Sequence, residues 1–161
     1  MAVRASPAPK VRRAAFLRAG LVVIVVLALD QLTKHLVKDS IALGESRNVF
    51  FFVHFEHVRN TGVAFNFFSG GGTLVLVLTL AALAALLGYF LMRPDRPLLW
   101  LPTGLLIGGA LGNLIDRIAN GAVTDFIKLP HWPAFNVADM AITFGVLALL
   151  WVLEGRRRDA G

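Results

Sequence analysis

Four long apolar runs divide this chain, and each is a candidate membrane-spanning helix. A helix needs about 20 mainly apolar residues to cross the hydrocarbon core of a bilayer. The runs Thr73 to Met92 and Leu98 to Ile115 carry no charge. Ala14 to Leu29 contains one arginine, and Met140 to Leu153 is shorter. The pattern predicts an integral membrane, mainly α-helical protein with transmembrane helices at about 14–36, 73–92, 98–117 and 138–154.

Basic clusters next to these runs predict how the chain is oriented. Lysine and arginine concentrate in three stretches: Arg4 to Arg18, Arg93 with Arg96, and Arg156 to Arg158. Each stretch abuts an apolar run, which is the asymmetry that the positive-inside rule describes. Since an even number of spans returns both termini to one side, the tails 1–13 and 155–161 are predicted to be cytoplasmic. The segments 37–72 and 118–137 are then predicted to lie on the outer side.

Composition supports the membrane class and argues against soluble alternatives. Of the 161 residues, 57% are hydrophobic and only 16% are charged, whereas a soluble domain is about 45–50% apolar and roughly 25% charged. The net charge of +6 suggests a nucleic-acid partner, but such a partner needs one basic face in polar surroundings.

No cleavage site of small residues follows the first run, so we expect an uncleaved helix rather than a secretory signal.

The outer segments contain aromatic and β-branched residues in patterns typical of strands. Between Phe51 and Glu56 the side chains alternate with a period of two, which predicts a strand. Asn60 to Gly62 predicts a turn, and Val63 to Phe67 predicts a second strand. An open sheet cannot cross lipid, because its edges would leave backbone groups without hydrogen bonds. This ribbon is therefore predicted to lie at the outer membrane surface.

Ionisable residues near membrane depth are candidates for function, because burying them there is costly. Asp30 and Lys34 are four residues apart on the first helix and can pair on one face. A structural ion pair is the favoured interpretation, and a catalytic role is the alternative. On the third helix, Asn113, Asp116 and Arg117 share a face. Arg117 beside Asp116 is expected to keep that carboxylate ionised and a poor proton donor. Arg117 could equally brace a neighbouring acid or a substrate carbonyl.

Glycines on the third helix predict close helix packing. Gly104, Gly108 and Gly112 recur at intervals of four and form a smooth strip, which Gly109 widens. Small residues at such intervals let helix backbones approach closely in a membrane. A packing helix with a polar end is therefore the alternative to a functional role for this segment.

Two further acids, Asp125 and Asp139, stand in a different setting. Asp125 has apolar neighbours, and Asp139 stands at the start of the fourth helix, where the helix dipole favours a negative charge. If the two carboxylates met, they could share one proton near neutral pH. One could then take a proton from water while the other polarises a scissile carbonyl. Spacing alone does not show that they meet, so a helix cap and a loop acid stay open as alternatives.

Other catalytic chemistries have weak support in the sequence. His54 and Glu56 would face one side of a strand while His57 faces the other, so the three do not converge on a metal. Zincin-type sites also require two histidines one helical turn apart. No serine-nucleophile motif occurs, and the chain has no cysteine, which excludes thiolate chemistry. We expect neither a metal nor a cofactor.

Five motifs occur in order between and within the apolar runs. They are Asp30-Gln31-x-x-Lys34, Asn60-x-Gly62-x-Ala64-Phe65, Gly108-Gly109-x-x-Gly112-Asn113-x-x-Asp116-Arg117, Val123-Thr124-Asp125-Phe126 and Phe135-Asn136-x-Ala138-Asp139. Together they resemble the motifs of the lipoprotein signal peptidase (signal peptidase II) family, which are bacterial intramembrane aspartic proteases. The resemblance covers about residues 14–154. It implies a single membrane domain of four transmembrane helices with a small extracytoplasmic β-cradle formed by 45–69 and 121–136.

The resemblance also implies roles for individual residues. Asp125 and Asp139 match the two catalytic aspartates. Asn113, Arg117 and Asn136 match residues that position this pair and contact the substrate. The positions implied to be supporting are Asp30, Lys34, Asn60, Gly62, Gly109 and Asp116.

The implied substrate is a prolipoprotein that already carries diacylglycerol on the cysteine after the cleavage site. The signal peptide would be removed before that cysteine, without metal or cofactor. The implied location is the bacterial cytoplasmic (inner) membrane, with the active site near its outer face. Phospholipid would surround a monomer, and no nucleic acid would be involved.

Two alternatives from other functional classes stay open. A small transporter or channel could use the intramembrane acids to relay protons or bind ions, although four short spans without inverted halves disfavour this. A non-enzymatic scaffold could be held together by the strip of Gly104, Gly108 and Gly112. It would tolerate substitution of both Asp125 and Asp139.

Overall fold

The computed structural model describes residues 9–61 and 71–158, and most of these lie in four helices and three strands. The helices are α1 (Pro9–Ser40), α2 (Gly71–Met92), α3 (Trp100–Asn120) and α4 (Val137–Arg158). The strands are β1 (Ser46–Phe50), β2 (Val53–Asn60) and β3 (Val123–Lys128). The protein is therefore mainly helical with one small sheet, as the sequence pattern and the family resemblance implied.

Two helices of this described part are long and apolar enough to cross a membrane. They are α1 and the portion Val137–Glu154 of α4, while Ala81–Met92 is a shorter apolar helical stretch. Large apolar side chains on both long helices point outward, and Ile24 and Trp151 are about two-thirds exposed, at 65% and 66%. Such a surface suits contact with lipid. Four transmembrane spans remain a prediction from the sequence.

The helices extend beyond the apolar runs that predicted them. α1 covers Pro9–Ser40 rather than about 14–36, and α3 ends at Asn120 rather than near residue 117. Apolar composition marks the part of a helix that lipid can surround, whereas backbone hydrogen bonds continue into the polar flanks. Gly121 ends α3 with a left-handed backbone (φ 69°), and its N–H donates to the Arg117 carbonyl at 3.0 Å.

α3 lies between α1 and α4, and its glycines make the contacts with both. A Cβ added to Gly104 would lie 2.6 Å from Cβ of Val22, and one added to Gly108 would lie 2.9 Å from Cβ of Val26. A Cβ on Gly109 would lie 2.5 Å from a backbone carbonyl oxygen of α4. The predicted packing strip is confirmed, and it holds α1 against one side and α4 against the other.

The three strands form an antiparallel sheet in the order β1-β2-β3. The strand predicted over 51–56 begins only at Val53, because Phe51 and Phe52 form the turn of the β1–β2 hairpin and Phe51 has a positive φ of 45°. Because the two turn residues are also apolar, the alternation along the sequence does not distinguish this turn from a strand. The strand predicted over Val63 to Phe67 lies outside the described residues. Pairing of β2 with β3 places Asn60 opposite Val123 and beside Asp125.

Candidate active site

Asp125 and Asp139 are brought together at one residue, Asn136. Asp125 lies on β3, while Asn136 directly precedes α4 and Asp139 lies in its first turn. The Asn136 Nδ2 donates to Asp125 Oδ1 at 2.7 Å, and its backbone N–H donates to Asp139 Oδ2 at 3.2 Å. One residue therefore binds both carboxylates, a convergence that spacing in the sequence did not reveal.

Asn136 also forms the N-terminal cap of α4. Its Oδ1 accepts a hydrogen bond from the Asp139 N–H at 2.9 Å, while Asp139 Oδ2 accepts one from the Asn136 N–H at 3.2 Å. This reciprocal pair is a capping box, which satisfies two N–H groups that the first turn of a helix leaves unpaired. The cap residue is thus Asn136, and Asp139 takes part in the cap as its partner three residues later, which holds Asp139 beside Asn136.

Asp125 is a buried strand residue rather than an acid on an open loop. Its side chain is held between two amides, because Asn60 Nδ2 donates to Oδ2 at 2.8 Å and Asn136 Nδ2 donates to Oδ1. Only 2% of the residue is exposed. Burial raises the pKa of Asp125 from 3.8 to about 6, the Asn60 hydrogen bond opposes this rise, and the charge of Asp139 adds to it. This carboxyl therefore exchanges its proton close to neutral pH.

The predicted ion pair between Asp30 and Lys34 is present and completely buried. Lys34 Nζ lies 2.8 Å from Asp30 Oδ2 on the same helix. The same nitrogen lies 3.1 Å from Asp116 Oδ2 and 3.0 Å from Asn113 Oδ1, both on α3. A buried charge is costly unless it is paired and hydrogen-bonded. These contacts provide both, and they join α1 to α3.

Asp30 also reaches the first turn of α4. Its Oδ1 accepts the Ala138 N–H at 2.9 Å, and this N–H is another of the groups that the helix start leaves unpaired. Gly112 provides the space for this carboxylate, since a Cβ there would lie 2.5 Å from Asp30 Oδ2. Asp30 thereby fixes the start of α4, and with it the position of Asp139, from a different helix.

The prediction that Arg117 pairs with Asp116 is wrong. Asp116 is buried, and its Oδ2 accepts the Thr124 N–H at 3.0 Å and pairs with Lys34. Arg117 is exposed, and its Nη1 donates to the Asn113 carbonyl at 3.3 Å. Adjacent residues on a helix point in different directions, so they do not face each other. The counter-ion of Asp116 comes instead from a distant part of the chain.

Asn113 connects the buried ion pair to the carboxylate of Asp139. Its Nδ2 donates to Asp139 Oδ1 at 2.8 Å. Its Oδ1 accepts from Lys34 Nζ and, at 3.1 Å, from Asn136 Nδ2. The residue is only 7% exposed, so its amide is committed to these partners. The site is a continuous hydrogen-bond network that runs from α1 through α3 to both aspartates.

Two further residues belong to this network although they were not named as site residues. Gln31 Nε2 donates to Asp30 Oδ2 at 3.1 Å and to Asp116 Oδ1 at 3.4 Å. Thr124 contributes its backbone, since its carbonyl accepts from Asn136 Nδ2 at 3.4 Å. Gln31 lies in the motif around Asp30 and Thr124 lies in the motif around Asp125, and this membership is the feature of the sequence that indicates them. Among the supporting residues, Gly62 lies outside the described part of the chain.

The chemistry available to this arrangement is proton transfer. A carboxyl that titrates near neutral pH stands beside a second carboxylate, and such a pair can donate one proton and accept another. Over residues 9–61 and 71–158, no three His, Cys, Asp or Glu side chains are grouped as metal ligands. The described groups that can transfer protons at the centre of the network are Asp125 and Asp139.

Comparison with known proteins identifies relatives along most of the chain. Residues 22–154 match the family model described as signal peptidase (SPase) II. The lipoprotein signal peptidase of Moorella thermoacetica is 45% identical over 135 residues, covering 83% of this chain and 90% of the relative. That of Halothermothrix orenii is 39% identical over 137 residues, covering 83% of this chain and 92% of the relative.

Solved structures resemble the fold as well. One described as a bacterial membrane enzyme superposes with a TM-score of 0.76 at 31% identity, covering 89% of this chain and 91% of that chain. A second one with the same description gives a TM-score of 0.75 at 33% identity, covering 84% and 91%. The helices and the small sheet are thus arranged as in known membrane enzymes.

Proposed function

The chain belongs to the signal peptidase II family of lipoprotein signal peptidases, and we propose that it cleaves diacylglyceryl-modified prolipoproteins by aspartic catalysis. Cleavage falls before the lipid-bearing cysteine and releases the signal peptide. The observation that carries the proposal is the position of Asn136, which binds Asp125 through its side chain and Asp139 through its backbone. Two carboxylates held at one point can activate a single water molecule between them.

In the proposed reaction the two aspartates have opposite roles at the start. Asp139 acts as the base; it lies in the first turn of α4, at the end of the helix where the dipole favours a negative charge. It takes a proton from water as the water oxygen attacks the scissile carbonyl. Asp125 acts as the acid: the rise of its pKa to about 6 increases the fraction that carries a proton, and the protonated form gives this proton to the carbonyl oxygen.

Collapse of the tetrahedral intermediate completes the reaction. Asp139 gives the proton it received to the leaving nitrogen, and the C–N bond breaks. Asp125 takes a proton back from the intermediate as the carboxylic acid product forms, so the pair returns to its starting state. Asn60, Asn113 and Asn136 keep the carboxyl groups in place throughout. Arg117, exposed beside Asn113, contacts the backbone of the substrate.

The proposed setting is the bacterial cytoplasmic membrane. Four transmembrane helices carry both basic termini to the cytoplasm and place the site near the outer face. The substrate, anchored by its own apolar helix and its lipid, reaches the site by lateral diffusion. The enzyme works as a monomer surrounded by phospholipid. Support comes from the charge distribution along the chain and from the outward-facing apolar side chains of α1 and α4.

The test is cleavage of a lipidated prolipoprotein by purified variants in detergent or proteoliposomes. Asp125→Asn and Asp139→Asn should fold but leave the substrate uncleaved, because each removes one proton-transfer group. Asp39→Asn is the matched control, since Asp39 is an exposed acid at the end of α1. Cleavage at the normal rate by either of the first two variants would remove that residue from the catalytic pair.

A further inference from the structure

The Asn113 carboxamide has two chemically different ends, and its function depends on which end faces Asp139. The Nδ2 end donates to Asp139 Oδ1 at 2.8 Å. An amide turned by a half rotation would present its oxygen to that carboxylate, acceptor against acceptor. Some feature of the site must therefore select one orientation of the amide.

Lys34 has the chemistry needed to make that selection. An ammonium group only donates hydrogen bonds, so the atom of Asn113 that faces it must be the oxygen. Lys34 Nζ lies 3.0 Å from Asn113 Oδ1, which leaves Nδ2 directed at Asp139. Asn136 Nδ2 donates to the same oxygen, and the orientation of Asn136 is itself fixed, because its Oδ1 accepts the backbone N–H of Asp139. Lys34 is the charged donor of the two, and hydrogen bonds from charged groups are the stronger ones.

The ammonium group of Lys34 is itself held in one position. Its Nζ donates hydrogen bonds to Asp30 Oδ2 and Asn113 Oδ1, at 2.8 and 3.0 Å, and forms an ion pair with Asp116 Oδ2 at 3.1 Å. The residue is fully buried, so no solvent competes for these donors. Rigid partners of this kind hold a functional group within the narrow range of geometry that catalysis needs.

We propose that Lys34 is a positioning residue that fixes the polarity of the hydrogen-bond chain reaching the catalytic aspartates. It holds the Oδ1 end of Asn113 toward itself, so that the Nδ2 end donates to Asp139. Lys34 is fully buried and acts on the catalytic pair through Asn113. This inference rests on the proposed aspartic protease function, because it assigns Lys34 to the geometry of that catalytic pair.

The test is a double-mutant cycle measured by cleavage kinetics on a lipidated prolipoprotein. Lys34→Met should lower kcat by about 10- to 100-fold with KM nearly unchanged, since misplacement of a catalytic group acts on the chemical step. In an Asn113→Ala background the same substitution should lower kcat by a clearly smaller factor, because the group that Lys34 orients is gone and only its pairing with Asp30 and Asp116 is still lost. Lys38→Met, an exposed lysine one helical turn away, is the control and should change neither constant.

A second variant keeps the test valid if Lys34→Met does not fold. Lys34→Met combined with Asp116→Asn leaves the buried net charge of the cluster at −1, as in the wild type, and removes the same orienting donor. An equal loss of kcat in the presence and absence of Asn113 would overturn the proposal, and so would a change confined to KM. An inactive wild type, or an active Asp139→Asn variant, would instead overturn the proposed function itself.

Discussion

Replacing Gly112 by alanine tests the closest helix contact of the site. The added Cβ would lie 2.5 Å from Asp30 Oδ2, 3.1 Å from Asp30 Cγ and 3.4 Å from the Ala138 Cβ. The first distance is shorter than any ordinary contact, so atoms must move. Asp30 is short, fully buried and bound to Lys34 and to the Ala138 N–H. Either this carboxylate gives up a hydrogen bond or α1 separates from α3.

The expected change in the free energy of unfolding follows from these two responses. Overpacking of a tight contact costs typically about 1–3 kcal/mol, and loss of a hydrogen bond to a charged group costs about 1.5–3 kcal/mol. Alanine recovers about 1 kcal/mol over glycine through its helix propensity. Since either response is offset by this gain, we expect Gly112→Ala to lower the free energy of unfolding by up to about 2 kcal/mol and to reduce cleavage, because Asp30 also fixes the start of α4.

Gly20→Ala is the matched control for this prediction. Gly20 lies within α1, and a Cβ there would meet nothing within 4 Å, so only the propensity gain of about 1 kcal/mol remains. The assay is thermal unfolding of both variants in the same detergent, together with cleavage of a lipidated prolipoprotein. If Gly112→Ala unfolds at the same temperature as Gly20→Ala and cleaves normally, the close packing inferred for Asp30 is wrong.

Three further predictions use the same cleavage assay. kcat/KM should fall as the pH rises through about 6, because Asp125 loses the proton that it donates as the pH passes its raised pKa. A flat profile from pH 5 to 8, with the fold intact by circular dichroism, would contradict this. Asn136→Ala should lower the free energy of unfolding by about 2–4 kcal/mol, through loss of the cap and of a buried hydrogen bond to Asp125, and should abolish cleavage. A stability loss with normal cleavage would separate Asn136 from the catalytic pair. EDTA should leave the rate unchanged, and inhibition reversed by added Zn²⁺ would indicate a metal.

Local sequence patterns were enough to predict the helices and one buried contact of the site. Apolar runs identified the helical segments, and glycines every four residues identified the surface of α3 that packs closely against another helix. The Asp30–Lys34 pair follows from the geometry of a single helix, because residues four apart lie on one face. In each case the pattern and the structure it predicts lie within the same short segment, so no knowledge of the tertiary fold is required.

Local sequence patterns do not predict contacts between segments that are distant in the chain. Asp116 was assigned to its neighbour Arg117, whereas its counter-ion is Lys34 on another helix. The meeting of Asp125 and Asp139 depends on where β3 pairs with β2 and where α4 begins. One signal was overlooked: Asn136 and Asp139 have the three-residue spacing of a capping box, which predicts that the first binds the second. That spacing would have placed Asn136 at the site without any resemblance to a family.

The site uses helix starts and buried charges for two purposes at once. Asn136 caps α4 and binds both aspartates, and Asp30 satisfies another N–H of the same helix start while holding Lys34. A substitution at either position therefore alters stability and catalytic geometry together, and activity alone cannot separate the two effects. Asp125 is different, because it caps no helix and its burial works against its charge. Its substitution is thus the one in this network where loss of cleavage with an intact fold argues most directly for chemistry.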